Sequence, residues 1–140
     1  MLLLHIDSGR DSSWSLRPWL MMKMAGIPFA VCEHDFLDDV AEQRRQWRAF
    51  SPTAKIPVLE DGAVRVWDSL AICLYLAECH PQVWPDDATA RAWAYAAVAE
   101  MHAGFAALRS RCPFPLQAPA VTVDAELGAE VARLDELWQQ

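Results

Sequence analysis

Residues 51–78, SPTAKIPVLEDGAVRVWDSLAICLYLAE, constrain the fold more than any other part of this chain. Two short runs with strand composition, 56–60 and 63–67, flank Asp61–Gly62. An Asp-Gly pair between two such runs is the strongest short-range signal for a β-hairpin. Asp68–Ser69 follows at once, and either residue type is placed to cap a helix by accepting from its first free N–H groups. The apolar run 70–78 then reads as that helix, so hairpin, cap and helix form one continuous unit.

Upstream, residues 2–6 are apolar and brief, and turn formers stop them, which predicts a buried strand. DSGRD, 7–11, reads as a loop. A helix is expected over 14–25, stopped by Gly26 with Pro28 just beyond. Pro18 limits where it begins. A proline deep in a helix costs about 3 kcal/mol, whereas the first turn has unbonded N–H groups anyway. The helix should therefore begin only a few residues earlier, with Ser12, Ser13 and Trp14 at its positive end. Residues 29–34 predict a second strand. Residues 38–50 predict a charged helix with Val40, Trp47 and Phe50 inward, closed by Ser51–Pro52. The resulting order is β-α-β-α-β-β-α, an α/β arrangement ending near residue 79. PQVWPDD, 81–87, reads as a linker. Beyond it the pattern is helical: a long Ala-rich helix over 88–109, a break at Cys112-Pro113-Phe114-Pro115, and a second helix from 123 onward, capped by Asp124.

A net charge of −7 disfavours nucleic acid and anionic membrane surfaces as partners. Arg44, Arg45 and Arg48 read as a solvated helix face. Residues 1–6 are too short for a signal-peptide core, and no run approaches the roughly 20 apolar residues of a membrane span. A reducing cytosol is the expected compartment. Cys32, Cys73, Cys79 and Cys112 contain no C-x-x-C pair and fit neither a zinc motif nor a disulfide scaffold; Cys73 reads as a small core residue. His5, His34, His80 and His102 are scattered without metal-ligand spacing, so no metal is expected. The seven tryptophans suit cores and a subunit contact.

The motif over 51–78 resembles the glutathione transferase family: Ser-Pro, then Lys-Ile-Pro-Val-Leu, a glycine turn, an acid-Ser pair, and Ala-Ile-x-x-Tyr-Leu. SSWSLRPWL, 12–20, is similar to the first-helix motif of the serine-type classes, notably zeta, and AEMHAGFAALR, 99–109, resembles a group of bacterial transferases. The resemblance implies a thioredoxin-like glutathione-binding domain over 1–79, a linker over 80–87, and a shortened all-helical second domain over 88–140. Only the first two helices of that second domain are expected, without the later core helix and its Ser/Thr-x-x-Asp cap. Part of the Trp93, Tyr95, Phe105 and Leu108 surface should then lack cover, as in a truncated product, a fragment or an obligate oligomer.

The resemblance also assigns roles. It implies a cis Ile56–Pro57 bond, with the Ile56 N–H and C=O pairing with the cysteinyl main chain of glutathione as an added strand would. Composition alone reads Pro57 as an ordinary trans proline opening an edge strand. Ser69 and the helix N–H groups would hold the γ-glutamyl carboxylate and Asp68 its ammonium, although a plain cap explains both residues too. Asp68 stands where the family usually has Glu. Lys55 pairs with the glycyl carboxylate or is simply solvated. Ser12 and Ser13 are the catalytic candidates. A thiol near pKa 8.5 becomes a thiolate near neutral pH when a helix N-terminus and a hydroxyl donor face it, and no base is needed. Alignment through Arg17 puts Ser12 on the serine-type position. Trp14 stands where zeta enzymes have cysteine, which weakens an isomerase or redox reading. Glu100 and His102 are candidates on the substrate side. The expected function is attack of the glutathione thiolate on a small apolar electrophile by a cytoplasmic homodimer, with glutathione as co-substrate. The alternatives are a glutathione-binding or interaction module without turnover, and a zeta-like glutathione-dependent isomerase. A glutaredoxin-like activity is disfavoured, because no cysteine stands at the start of the first helix.

Overall fold

The computed structural model describes residues 1–8, 11–112, 114 and 120–139. The chain divides into two units, Met1–Trp84 and Pro85–Gln140. No helix among the described residues is long and apolar enough to cross a membrane.

In the first unit β1 (Leu2–Asp7) is followed by α1 (Ser13–Met24), β2 (Phe29–His34), α2 (Val40–Trp47), β3 (Val58–Asp61), β4 (Val64–Trp67) and α3 (Ser69–Cys79), with a short 3-10 turn at Pro81–Val83. The sheet order is β2-β1-β3-β4. β1 runs parallel to β2, with His5 opposite Cys32. β3 runs antiparallel to β1, with Val58 opposite His5, and β4 antiparallel to β3, with Trp67 opposite Val58. The element order is the one expected, and residues 29–34 form a strand with the expected limits.

Alternation along β1 explains the layers. Leu4 on one face packs with Met22, Ile27, Leu59, Ile72 and Leu76, flanked by Leu2 and Ile6. His5, on the opposite face, stacks on Phe50 just beyond α2. Gly26 and Gly62 take positive φ, 66° and 59°, at the end of α1 and in the hairpin turn, where a side chain would be strained.

The structure corrects the sequence reading at several points. α1 begins at Ser13, so Pro18 lies in its second turn rather than its first. The proline ring is fully buried, and that burial offsets the missing N–H. α2 is shorter than expected, and Val40 is exposed rather than inward. Asp39 caps it through Ala41 N–H and Glu42 N–H, at 2.9 and 3.1 Å, so Val40 falls in the first turn. The N–H groups of Ala49 and Phe50 then bond three residues back, to Gln46 and Trp47, which ends the helix.

The second unit holds α4 (Ala88–Ala103), α5 (Ala106–Arg111) and α6 (Ala125–Trp138). The single helix expected over 88–109 is broken at Gly104, and Phe105 is left-handed at φ 60°. A Cβ on Gly104 would sit 2.9 Å from the Glu100 carbonyl oxygen. Arg109 donates to the Gly104 carbonyl at 2.8 and 3.2 Å and to that of Met101, satisfying the end of α4. Glu130 on α6 accepts from the N–H groups of Ala107 and Leu108 at 3.2 and 2.7 Å and so starts α5. Asp124 caps α6 as expected, through Leu127 N–H at 3.0 Å. Arg133 grips Glu100 with two bonds, of 2.7 and 2.9 Å, joining α6 to α4. Phe105 is buried, whereas Trp93 and Tyr95 are exposed. The loop at 7–11 and the break at 112–115 fall in part on Gly9, Arg10, Pro113 and Pro115, which lie outside the described residues.

Leu4 has no exposed surface and sits between α1 and α3. Leu4→Ala should lower the stability of the first unit by about 2–5 kcal/mol, read as an earlier urea midpoint with an unchanged slope.

Candidate functional site

Sheet register brings the separate sequence motifs to one end of the first unit. β1 finishes at Asp7, and the chain then enters α1. Because Val58 pairs with His5, Pro57 and Ile56 lie beside the last residues of β1. Because Trp67 pairs with Val58, Asp68 and Ser69 emerge next to Pro57. Both α1 and α3 start at this end and pack on each other, so two positive helix ends share it.

Ser12 is the N-cap of α1 and is half-buried. Its Oγ accepts from Ser15 N–H at 3.2 Å and from the Ser15 hydroxyl at 3.0 Å. Both bonds use oxygen lone pairs, so the Ser12 hydroxyl proton stays available to a further acceptor and is polarised toward it. Ser13 is the first helical residue and is exposed. The buried Asp7 carboxylate accepts from Ser12 N–H at 3.2 Å and from Asp11 N–H, fixing the entry to α1. The Arg17 guanidinium lies over the Trp14 ring, 4.2 Å from its centroid, in the same stretch of α1.

The Ile56–Pro57 bond is cis, so the trans proline read from composition is not found. No hydrogen bond among the described residues uses the main chain of Ile56. The loop before it hangs on Ser51, which is fully buried. The Ser51 hydroxyl accepts from Lys55 N–H at 3.0 Å and donates to the Lys55 carbonyl at 2.6 Å. Lys55 itself is exposed.

Asp68 takes φ 75°, ψ 132°, a conformation that costs a non-glycine residue about 1–3 kcal/mol. Its carboxylate caps α3 through Leu70 N–H at 2.9 Å and Ala71 N–H at 3.3 Å. Ser69 is buried, and its Oγ has no hydrogen-bond partner among the described residues. A buried hydroxyl in that state carries a desolvation cost that a bound acceptor would remove.

Asp7, Ser15 and Ser51 were not singled out by the sequence reading, because their partners follow from loop geometry; Arg17 served there only to align a motif. Glu100, a substrate-side candidate, is paired with Arg133, and this lowers its carboxyl pKa. A depression of about 360 Å³ lined by Glu60, Gly62, Ala63, Val64 and Arg65 lies at the hairpin, the opposite end of the sheet.

Residues 11–79 match the family described as "Glutathione S-transferase, N-terminal domain". Over 52 residues the chain is 35% identical to the dichloromethane dehalogenase of Methylorubrum extorquens, a match covering 37% of this chain and 18% of that protein. The chain therefore spans less than a fifth of that curated relative. The backbone is similar to that of the theta class glutathione S-transferase from Xanthomonas axonopodis pv. citri with glutathione bound, at a TM-score of 0.73 and 24% identity over 99% of this chain and 70% of that one. It is also similar to glutathione S-transferase unclassified 2 from Bombyx mori, at 0.74 and 23% over 99% and 66%. These likenesses establish the fold: a thioredoxin-like N-terminal domain with a helical C-terminal region.

Cys73 lies on α3 near Asp68 and Arg17. Burial pushes its thiol up to about 11; Arg17 opposes the shift and Asp68 adds to it. The thiolate fraction near neutral pH therefore falls about a hundredfold below that of an ordinary cysteine. With iodoacetamide at neutral pH, mass spectrometry should find exposed Cys79 alkylated well before Cys73, and the Cys73 rate should climb only as pH approaches 11.

Proposed function

We propose, for a chain whose residues 11–79 belong to the glutathione S-transferase N-terminal domain family, that this sheet end binds glutathione and that Ser12 holds its sulfur as a thiolate for transfer to a small apolar electrophile. One observation carries the reading: the buried Ser69 hydroxyl has no hydrogen-bond partner among the described residues, at the N-terminus of α3 beside the Ile56–Pro57 turn. The γ-glutamyl carboxylate of glutathione fits there, because a helix N-terminus favours an anion and Ser69 can donate to it. The peptide then runs past Ile56, whose N–H and C=O pair with the cysteinyl residue. Its ammonium lies toward Asp68 and its glycyl carboxylate toward Lys55.

That pose brings the sulfur to the start of α1. The helix dipole and the Ser12 hydroxyl both favour the anion, so the thiol proton leaves to solvent without a protein base. The thiolate attacks an electrophilic carbon, a C–S bond forms, and the leaving group departs with the bonding electrons. Ser12 rather than Ser13 takes this role because its oxygen already accepts from Ser15, which polarises its proton outward. The name of the dehalogenase relative makes a small chlorinated compound the natural first substrate class to try. A cytoplasmic homodimer belongs to the same reading, with exposed Trp93 and Tyr95 as surface for the contact.

A chlorinated dinitrobenzene is a suitable assay electrophile. Ser12→Ala should lower kcat/KM by about 10- to 100-fold, since a hydrogen bond to a charged acceptor is worth roughly 1.5–3 kcal/mol, while Ser13→Ala stays near wild type. Equal rates for Ser12→Ala and wild type would reject Ser12. Retention on immobilised glutathione without any turnover would establish the binding-module reading. Ser69→Ala should weaken glutathione binding by about tenfold, measured by calorimetry.

A further inference from the structure

A second cluster lies on the sheet face opposite α1 and α3, apart from the proposed glutathione site. β1 and β2 are parallel with His5 opposite Cys32, and His34 follows two residues along β2. Residues paired across a ladder share a face, and so do residues two apart on a strand. The side chains therefore converge: one ligand atom from each of His5, Cys32 and His34 lies within 4.8 Å of the other two. His5 Nδ1 and His34 Nε2 are 2.8 Å apart. The two rings are within 16° of coplanar, and Phe50 covers both, at centroid distances of 4.5 and 4.1 Å. The phenyl ring fixes the imidazole planes, so the nitrogens point at each other. Behind the pair, His5 Nε2 is buried with no hydrogen-bond partner among the described residues and faces Glu60 Oε2 at 3.7 Å, an ion-pair distance too long for a hydrogen bond. Arg65 holds Glu60 in place with bonds of 2.8 and 3.1 Å.

The geometry points to a transition-metal site in which His5 Nδ1, His34 Nε2 and Cys32 Sγ bind a zinc-like divalent ion, with Glu60 orienting His5 from behind. Two imidazoles and one thiolate suit zinc, which takes tetrahedral nitrogen and sulfur ligands and leaves a fourth position to water. Around such an ion the ligand atoms stand roughly 3.3–3.7 Å apart, so the histidine nitrogens part by about half an ångström and the sulfur closes by about an ångström or less. The protons balance. Cys32 releases its thiol proton to solvent. His5 carries its proton on Nε2, toward Glu60, and His34 carries its own on Nδ1, so both converging nitrogens offer lone pairs. A carboxylate behind a ligating imidazole is the usual outer support of a zinc site. Cys32 and His34 are half-buried, which leaves an ion a way in. Sequence spacing hides the site because its ligands meet only through strand pairing.

Cobalt(II) serves as the probe on the full-length chain, stripped beforehand with a chelator. The expected result is saturable visible d–d bands with a thiolate-to-cobalt charge-transfer band in the near ultraviolet, both displaced by zinc. Cys32→Ala should abolish the charge-transfer band, and Cys79→Ala should leave it intact. In competition with a chromophoric chelator, His34→Gln and Glu60→Gln should each weaken zinc binding by about tenfold or more. Circular dichroism confirms that each variant is folded, and a variant that fails to fold is replaced by Cys32→Ser. No cobalt band in the wild type would overturn the proposal, as would a band that persists in folded Cys32→Ala or Cys32→Ser or vanishes in Cys79→Ala.

Discussion

Antiparallel pairing of β3 with β1, with Val58 opposite His5, gathers the separate motifs of the first unit at one end of the sheet. It sets Pro57 beside the end of β1, and through the hairpin it carries Asp68 and Ser69 to the same edge. Slipping this register by one residue would turn Leu59 from the apolar core toward α2 and expose the core to polar groups. The apolar cluster around Leu4, Leu59 and Ile72 therefore holds the register, and the register assembles the site. Hydrophobic burial contributes the energy, and strand pairing converts it into position.

At that edge the molecule concentrates groups that favour an anion. Two helix N-termini meet there, the Ser12 proton is free to donate, and the buried Ser69 hydroxyl has no partner among the described residues. The positive φ of Asp68 stores conformational cost at the same place, and the capping bonds from Leu70 and Ala71 offset it. The other face of the same sheet is organised differently. There Phe50 packs on two neighbouring imidazoles, and burial keeps both below the ordinary histidine pKa. The two faces share the strands but use alternate side chains on them, Leu4 and Leu59 on one and His5 and Glu60 on the other.

The first unit was largely legible because its signals are local. Asp61–Gly62 forces a turn, Asp68 caps the helix that follows it, and residues 29–34 have strand composition bounded by turn formers. Misreadings arose where distant residues decide the outcome. The break at Gly104 depends on Arg109 and on Glu130, which reaches α5 from another helix, so an Ala-rich run that looks continuous is not. Pro18 survives in the second turn because its ring is buried, and burial of one ring cannot be read from periodicity. Ser12 and Ser69 were visible as capping types. That one hydroxyl accepts two bonds and the other none depends on packing. The meeting of His5 with Cys32 and His34 follows from a parallel register that no spacing along the chain encodes.

A crystal structure of the chain with glutathione tests the central claim most directly. The predicted result is a sulfur within hydrogen-bond distance of Ser12 Oγ, the cysteinyl main chain paired with Ile56, and the γ-glutamyl carboxylate on Ser69 at the start of α3. Glutathione bound elsewhere, or bound here with its sulfur turned away from Ser12, would contradict it.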